Sequence, residues 1–107
     1  MKRLLRRADY LRCSKAPWKA RRTLVLQVRD RGDDAPPRLG ITASKKVGNA
    51  VHRNRAKRRL RALAREHLAP NAKPGFDYVL VARPATVDAP WGDLQGDLGK
   101  ALITLHG

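Results

Sequence analysis

Residues 45–65 constrain this chain more than any other stretch. They carry nine Lys and Arg and no Asp or Glu. Across the same region Ala56, Leu60, Leu63, Ala64 and His67 recur three and four residues apart, a spacing that shares one face of an α-helix. The pattern predicts a helix from Gly48 or Asn49 to about Leu68, with Asn49 as its N-cap. Asn54, Arg58, Arg61 and Arg65 fall on the opposite side, with Arg55 and Lys57 on the flanks. Such a helix can bury only its narrow apolar stripe, because unpaired charge is costly to desolvate. The rest of the chain must supply a surface for that stripe.

A small sheet is the predicted surface. Thr23 to Arg29 reads as a strand with Leu24, Leu26 and Val28 on one face, and Leu39 to Ala43 as a second. The Gly/Asp/Pro turn over residues 31–37 lies between them, so the two are expected to pair as an antiparallel hairpin. Phe76 to Ala82 is a third strand, whose Val79 and Val81 make it apolar on both faces and hence central or covered on both sides. A short helix over Ala8 to Ser14, with Tyr10, Leu11 and Cys13 turned inward, ends before Pro17. Trp91, Leu94, Leu98, Ala101, Leu102 and Leu105 recur at helical spacing in a last helix. Its Gly92, Gly96 and Gly99 weaken it, so it must be docked on the sheet. One further short strand is expected near residues 18–20. The order α-β-β-α-β-α predicts an α+β fold in one domain spanning residues 1–107.

The core available to that domain is thin. Leu, Ile, Val and Phe total 24 of 107 residues, against a formal net charge of +15. The charge is also segregated: residues 1–22 hold nine cations and only Asp9, so 18 of the 24 cations sit in two blocks. Charge needed only for solubility would mix its signs. A polyanion is the implied partner, and a nucleic acid fits better than a membrane surface or an acidic protein. No apolar run approaches the roughly 18 residues of a membrane span, and the basic start is not followed by a signal-peptide apolar region. One cysteine, Cys13, rules out an internal disulfide and fits a reducing cytoplasm.

Catalytic chemistry has no sequence support. His52, His67 and His106 have no carboxylate or cysteine partners at metal-ligand spacing. Ser14, Ser44 and Cys13 lack an identifiable base, and Asp33-Asp34 sit in a turn where solvated acids are ordinary. No catalytic residue and no metal ligand is expected in the protein.

The run Ser44-Lys45-Lys46-Val47-Gly48-Asn49-Ala50-Val51, followed by Arg53-Asn54-Arg55 and Lys57-Arg58, is far more specific than a generic arginine-rich helix. At these residues the chain resembles the protein component of bacterial ribonuclease P. Asp9-Tyr10, Leu24-Val25-Leu26, Arg38 to Lys46 and Asp77 to Arg83 resemble the family in the same order and spacing. The resemblance implies an α/β sandwich of the ribosomal protein S5 domain 2-like kind: a small mixed sheet with helices and a left-handed βαβ crossover through the basic helix. It implies an accessory subunit of an RNA-catalysed endoribonuclease, which helps a catalytic RNA hydrolyse one phosphodiester and remove the 5′ leader of precursor tRNA. Magnesium would be held mainly by the RNA, and no obligate protein partner or membrane is implied.

By the same resemblance Lys45, Lys46, Arg53, Asn54, Arg55, Lys57, Arg58 and Arg61 contact the catalytic RNA. Guanidinium forks bind phosphate bidentately and stack on bases. A cleft between the first helix and the sheet, with Tyr10, Ser14, Val25 and Gln27, would hold the single-stranded leader. Ser14 and Gln27 stand where many relatives carry aromatics, so leader contact is expected to rest more on hydrogen bonds and cations than on stacking. Alanine at Arg53 and Arg55 is expected to weaken RNA assembly without disturbing the fold. A ribosomal or other structural RNA-binding protein is the alternative, and a protein-only nuclease a third class.

Overall fold

The computed structural model describes residues 1–106. In chain order it contains β1 (Lys2–Arg3), α1 (Arg7–Ser14), β2 (Trp18–Ala20), β3 (Leu24–Asp30), β4 (Arg38–Thr42), α2 (Ala50–Leu63), β5 (Phe76–Ala82) and α3 (Trp91–His106). The five strands form one mixed sheet in the order β1-β4-β5-β3-β2. The α+β class is as expected, and α2 lies within a parallel β4–α2–β5 connection.

The expected hairpin is not formed. β5 lies between β3 and β4, antiparallel to the first and parallel to the second, with Leu80 level with Leu26 on one side and Ile41 on the other. β5 is the strand with side chains to bury on both faces, so the centre is where it loses least. Proximity in sequence favours pairing but does not dictate it. Two short strands close the edges of the sheet, which limits the unpaired backbone it presents. β1, which the sequence did not signal, is held by the Lys2 and Leu4 amides donating to the Pro37 and Leu39 carbonyls.

Each face has its own cover. Leu24, Leu26, Val28, Tyr78, Leu80 and Ala82 form one core with Ala56, Leu60, Leu63 and Ala64 of the basic helix and Leu94, Leu98, Ala101 and Leu102 of α3. After α2 the chain continues through a wider π-type turn over Ala64–Leu68, as the predicted helix length required. Asp97 ties α3 to the sheet by accepting from the Thr23 amide at 3.0 Å and hydroxyl at 2.7 Å. Burial would raise the Asp97 carboxyl, but the Thr23 bonds and Arg21 outweigh it and hold the carboxyl low. On the other face α1 covers a smaller cluster of Leu4, Cys13 and Val79. Leu11 departs from the sequence reading: it is half-exposed on the outer side of α1, while Asp9 turns inward.

Asp9 belongs to a buried ionic network beneath α1. Asp77, fully buried, accepts from Arg38 through both oxygens at 2.7 Å, from Arg31 at 2.5 Å and from Arg29 at 3.3 Å. Asp9 accepts from Arg12 at 3.0 Å and Arg38 at 3.4 Å. Arg31 also donates to the carbonyls of Phe76, Ala35 and Pro36. The network joins β3, β4, β5, the turn and α1. The Cys13 thiol beside it is pushed up to about 11 by burial and then by the Asp77 charge, which leaves it protonated and inert.

Candidate RNA interface

The basic helix begins as its sequence predicts. The Asn49 side chain accepts from the His52 amide at 3.0 Å, and Gly48 makes the preceding turn at φ 138°, a conformation that favours glycine. Lys45 and Lys46 stand exposed on that turn. Asn54, Arg58 and Arg61 are exposed on the outer face of α2 and, with Val51 and Lys57, line a shallow groove of about 420 Å³. Among the described residues, Lys45, Lys46, Lys57, Arg58 and Arg61 make no intramolecular ion pair.

Other cations on the same helix are engaged with the protein. Arg59 donates to the carbonyls of Thr86 at 2.6 Å and Ala89 at 2.5 Å, and its guanidinium lies 5.8 Å from the Trp91 ring centre. Arg55 donates through Nε to the Val87 carbonyl at 2.9 Å, 3.8 Å from Asp88, while its side chain stays about half-exposed. Arg53 donates to the Gly48 carbonyl at 3.4 Å. Arg53 and Arg55 lie off the buried stripe as expected, but each also bonds a loop carbonyl. Lys57, Arg58 and Arg61 are the cleaner positions at which to separate binding from folding.

The α1 side of the sheet holds the expected cleft residues. Register places Val25, Gln27 and Arg29 of β3 on this face with Thr42, Val81 and Ala20. Val25, Val81, Thr42 and Ala20 form one half-buried, uncharged row across four strands. Tyr10 and Ser14, one turn apart, share a flank of α1. The Tyr10 ring rests on Gly40, where a Cβ would come within 2.5 Å of it, and its hydroxyl donates to the Leu4 carbonyl at 3.1 Å. It thus lies over β4, separated from Gln27 by β5. Tyr10 also lines a groove of about 280 Å³ with Leu4, Leu39, Ile41, Arg3 and Arg61, where the two cationic blocks of the sequence meet. The Ser14 hydroxyl bonds its own helix at the Leu11 carbonyl, 2.6 Å away.

The sequence reading missed Trp18. Its strand pairs with β3 so that Trp18 stands directly opposite Gln27 on the same face, and it is 60% exposed. The signal available was an aromatic in a predicted short strand, but its face depends on register.

Two of the three histidines, His67 and His106, have structural partners. His67 meets the Gln95 amide at 2.9 Å, and His106 meets the Tyr78 hydroxyl at 2.6 Å. Among the described residues no three His, Cys, Asp or Glu side chains gather as a metal site, and no helix is long and apolar enough to cross a membrane.

Comparison with known proteins agrees with this layout. The Ribonuclease P family profile matches residues 1–106. The chain is 49% identical over 104 residues to the ribonuclease P protein component of Caulobacter vibrioides, covering 96% of this chain and 70% of the relative. It is 46% identical over 106 residues to that of Ruegeria pomeroyi, covering 96% and 85%. The RNase P protein structure from Staphylococcus aureus superposes with a TM-score of 0.78 at 30% identity, covering 97% of this chain and 94% of that one. The Thermotoga maritima protein gives 0.75 at 28% identity, covering 98% and 96%. With the family profile matched over residues 1–106 and the mixed sheet and helices shared with the solved relatives, the chain belongs to the ribonuclease P protein component family.

Proposed function

We propose that this chain is the protein subunit of a ribonuclease P ribonucleoprotein and assists removal of the 5′ leader from precursor tRNA. Its α2 face, with Lys45, Lys46, Asn54, Lys57, Arg58 and Arg61 and the remaining capacity of Arg53 and Arg55, binds the catalytic RNA. The α1 side of the sheet, with Tyr10, Ser14, Val25 and Gln27, receives the single-stranded leader. The observation that carries this reading is the division of cations on α2: Arg59 is committed to the fold, whereas the exposed outer row has no acid to neutralise it.

The protein's part is to position RNA. Phosphodiester hydrolysis is assigned to the catalytic RNA with magnesium in the cytoplasm. Buried Asp77 and Asp9 do not fit a magnesium site, because guanidinium groups occupy their carboxylates. Sequencing the RNA retained by the chain on purification at low salt tests the assignment. The ribonuclease P RNA should be strongly enriched over total cellular RNA; ribosomal RNA without it would favour the structural RNA-binding alternative.

A further inference from the structure

Trp18 is the largest side chain that the fold leaves uncommitted. It is 60% exposed in a three-residue edge strand, although a tryptophan is costly to leave in water. The same face presents the half-buried row Ala20, Val25, Val81 and Thr42 beside Trp18 and Gln27. From β2 to β4 this row spans about 14 Å at ordinary strand spacing. Lys45 and Lys46 follow shortly after its β4 end, and exposed Lys15 lies just before Trp18 at the other. An uncharged, largely aliphatic floor, an open indole and cations at both ends suit a short single-stranded polyanion with flat bases. A second copy of the chain suits it poorly, since each copy carries +15.

We propose that Trp18 is a base-stacking platform for the single-stranded leader. This rests on the reading of the α1 face as the leader site and adds the residue that discriminates an unpaired base there. Stacking needs the indole face alone, so the contact is selective for unpaired RNA and tolerant of sequence.

The test uses the holoenzyme reconstituted with its catalytic RNA, comparing affinity for precursor tRNA bearing an unpaired leader with affinity for leaderless mature tRNA. Trp18→Ala should weaken precursor binding by about 5- to 150-fold, leave mature tRNA binding unchanged, and leave the melting temperature close to wild type. Trp18→Phe should retain most of the preference. In a Trp91→Phe chain, where Trp18 is the remaining tryptophan, a single-stranded leader oligonucleotide should quench fluorescence and a duplex of the same sequence should not. A wild-type holoenzyme that binds precursor and mature tRNA equally would overturn the leader reading itself. A wild-type preference undiminished by Trp18→Ala would overturn the inference and leave that reading standing. Loss of self-association in Trp18→Ala, with the leader preference intact, would assign the indole to a second copy instead and equally overturn it.

Discussion

Asp77→Ala is expected to destabilise the protein by about 3–5 kcal/mol, the cost of breaking a buried ion pair by removing one partner. Domains of this kind have a total stability of about 5–15 kcal/mol, so the variant should sit near the edge of folding. The magnitude follows from what the carboxylate holds. It is fully buried, it receives both arms of Arg38, and it takes further bonds from Arg31 and Arg29. Removing it opens a space beside Arg31, itself almost fully buried, and leaves that guanidinium only Asp33 and backbone carbonyls as partners. Asp77→Asn keeps the volume and removes the charge, so comparable destabilisation by both changes would assign the effect to charge. Urea denaturation read by circular dichroism measures it.

The same group predicts a pH dependence. Burial alone would raise the Asp77 carboxyl, but hydrogen bonds from Arg38 and Arg31, and then their charges, outweigh it and lower the carboxyl below its ordinary 3.8. A depressed folded value means that the unfolded chain takes up the proton first. The stabilisation is therefore complete above about pH 4 and is lost as pH falls through the lower folded value. The Asn variant should lose less stability than wild type over that acid range. Equal acid sensitivity would show that Asp77 does not carry this part of the stability.

Replacing Lys57, Arg58 and Arg61 together with alanine is expected to reduce affinity for the catalytic RNA by about a thousandfold at low salt, taking each bond to phosphate as a charge-assisted hydrogen bond of about 1.5 kcal/mol. The slope of log affinity against log salt should become shallower by about 0.7–0.9 for each phosphate that is no longer neutralised. The fold should survive, since these side chains lie off the fully buried stripe of Ala56, Leu60 and Leu63, and alanine is the best helix former. Arg59→Ala is the informative contrast. It frees the carbonyls of Thr86 and Ala89 and removes the cation beside Trp91, so its first effect should be on stability. If the triple variant unfolds as readily as Leu60→Ala, or keeps wild-type affinity and salt slope, the division of α2 into a binding face and a folding face is wrong.

The two kinds of cation differ in how far the sequence announces them. The periodicity of Ala56, Leu60, Leu63 and Ala64 locates the buried stripe, and Asn49 marks its start, because helix faces and caps are local properties. Whether Arg59 or Arg58 is free depends on where the 84–90 segment passes, which no local pattern encodes. The position of β5 shows the same limit: its two apolar faces indicate a central strand, but its insertion between β3 and β4 follows from competition among all strands for burial. Asp77 reads in sequence as one polar residue in an apolar strand. Its partners Arg29, Arg31 and Arg38 meet it only through the sheet order. Trp18 is hidden in a similar way, because one step in the β2–β3 register would send it to the opposite face. The family resemblance points to the basic helix and Tyr10 as candidates directly, since those residues stand in contiguous motifs.

Reconstitution of the pure chain with ribonuclease P RNA on precursor tRNA, at magnesium too low for the RNA to cleave efficiently alone, tests the central claim most directly. Adding the chain should restore accurate release of the intact 5′ leader. The Lys57, Arg58 and Arg61 triple variant should fail to do so unless supplied in large excess, and the chain without RNA should release nothing. Cleavage unchanged by the chain, or cleavage by the chain in the absence of RNA, would contradict the assignment.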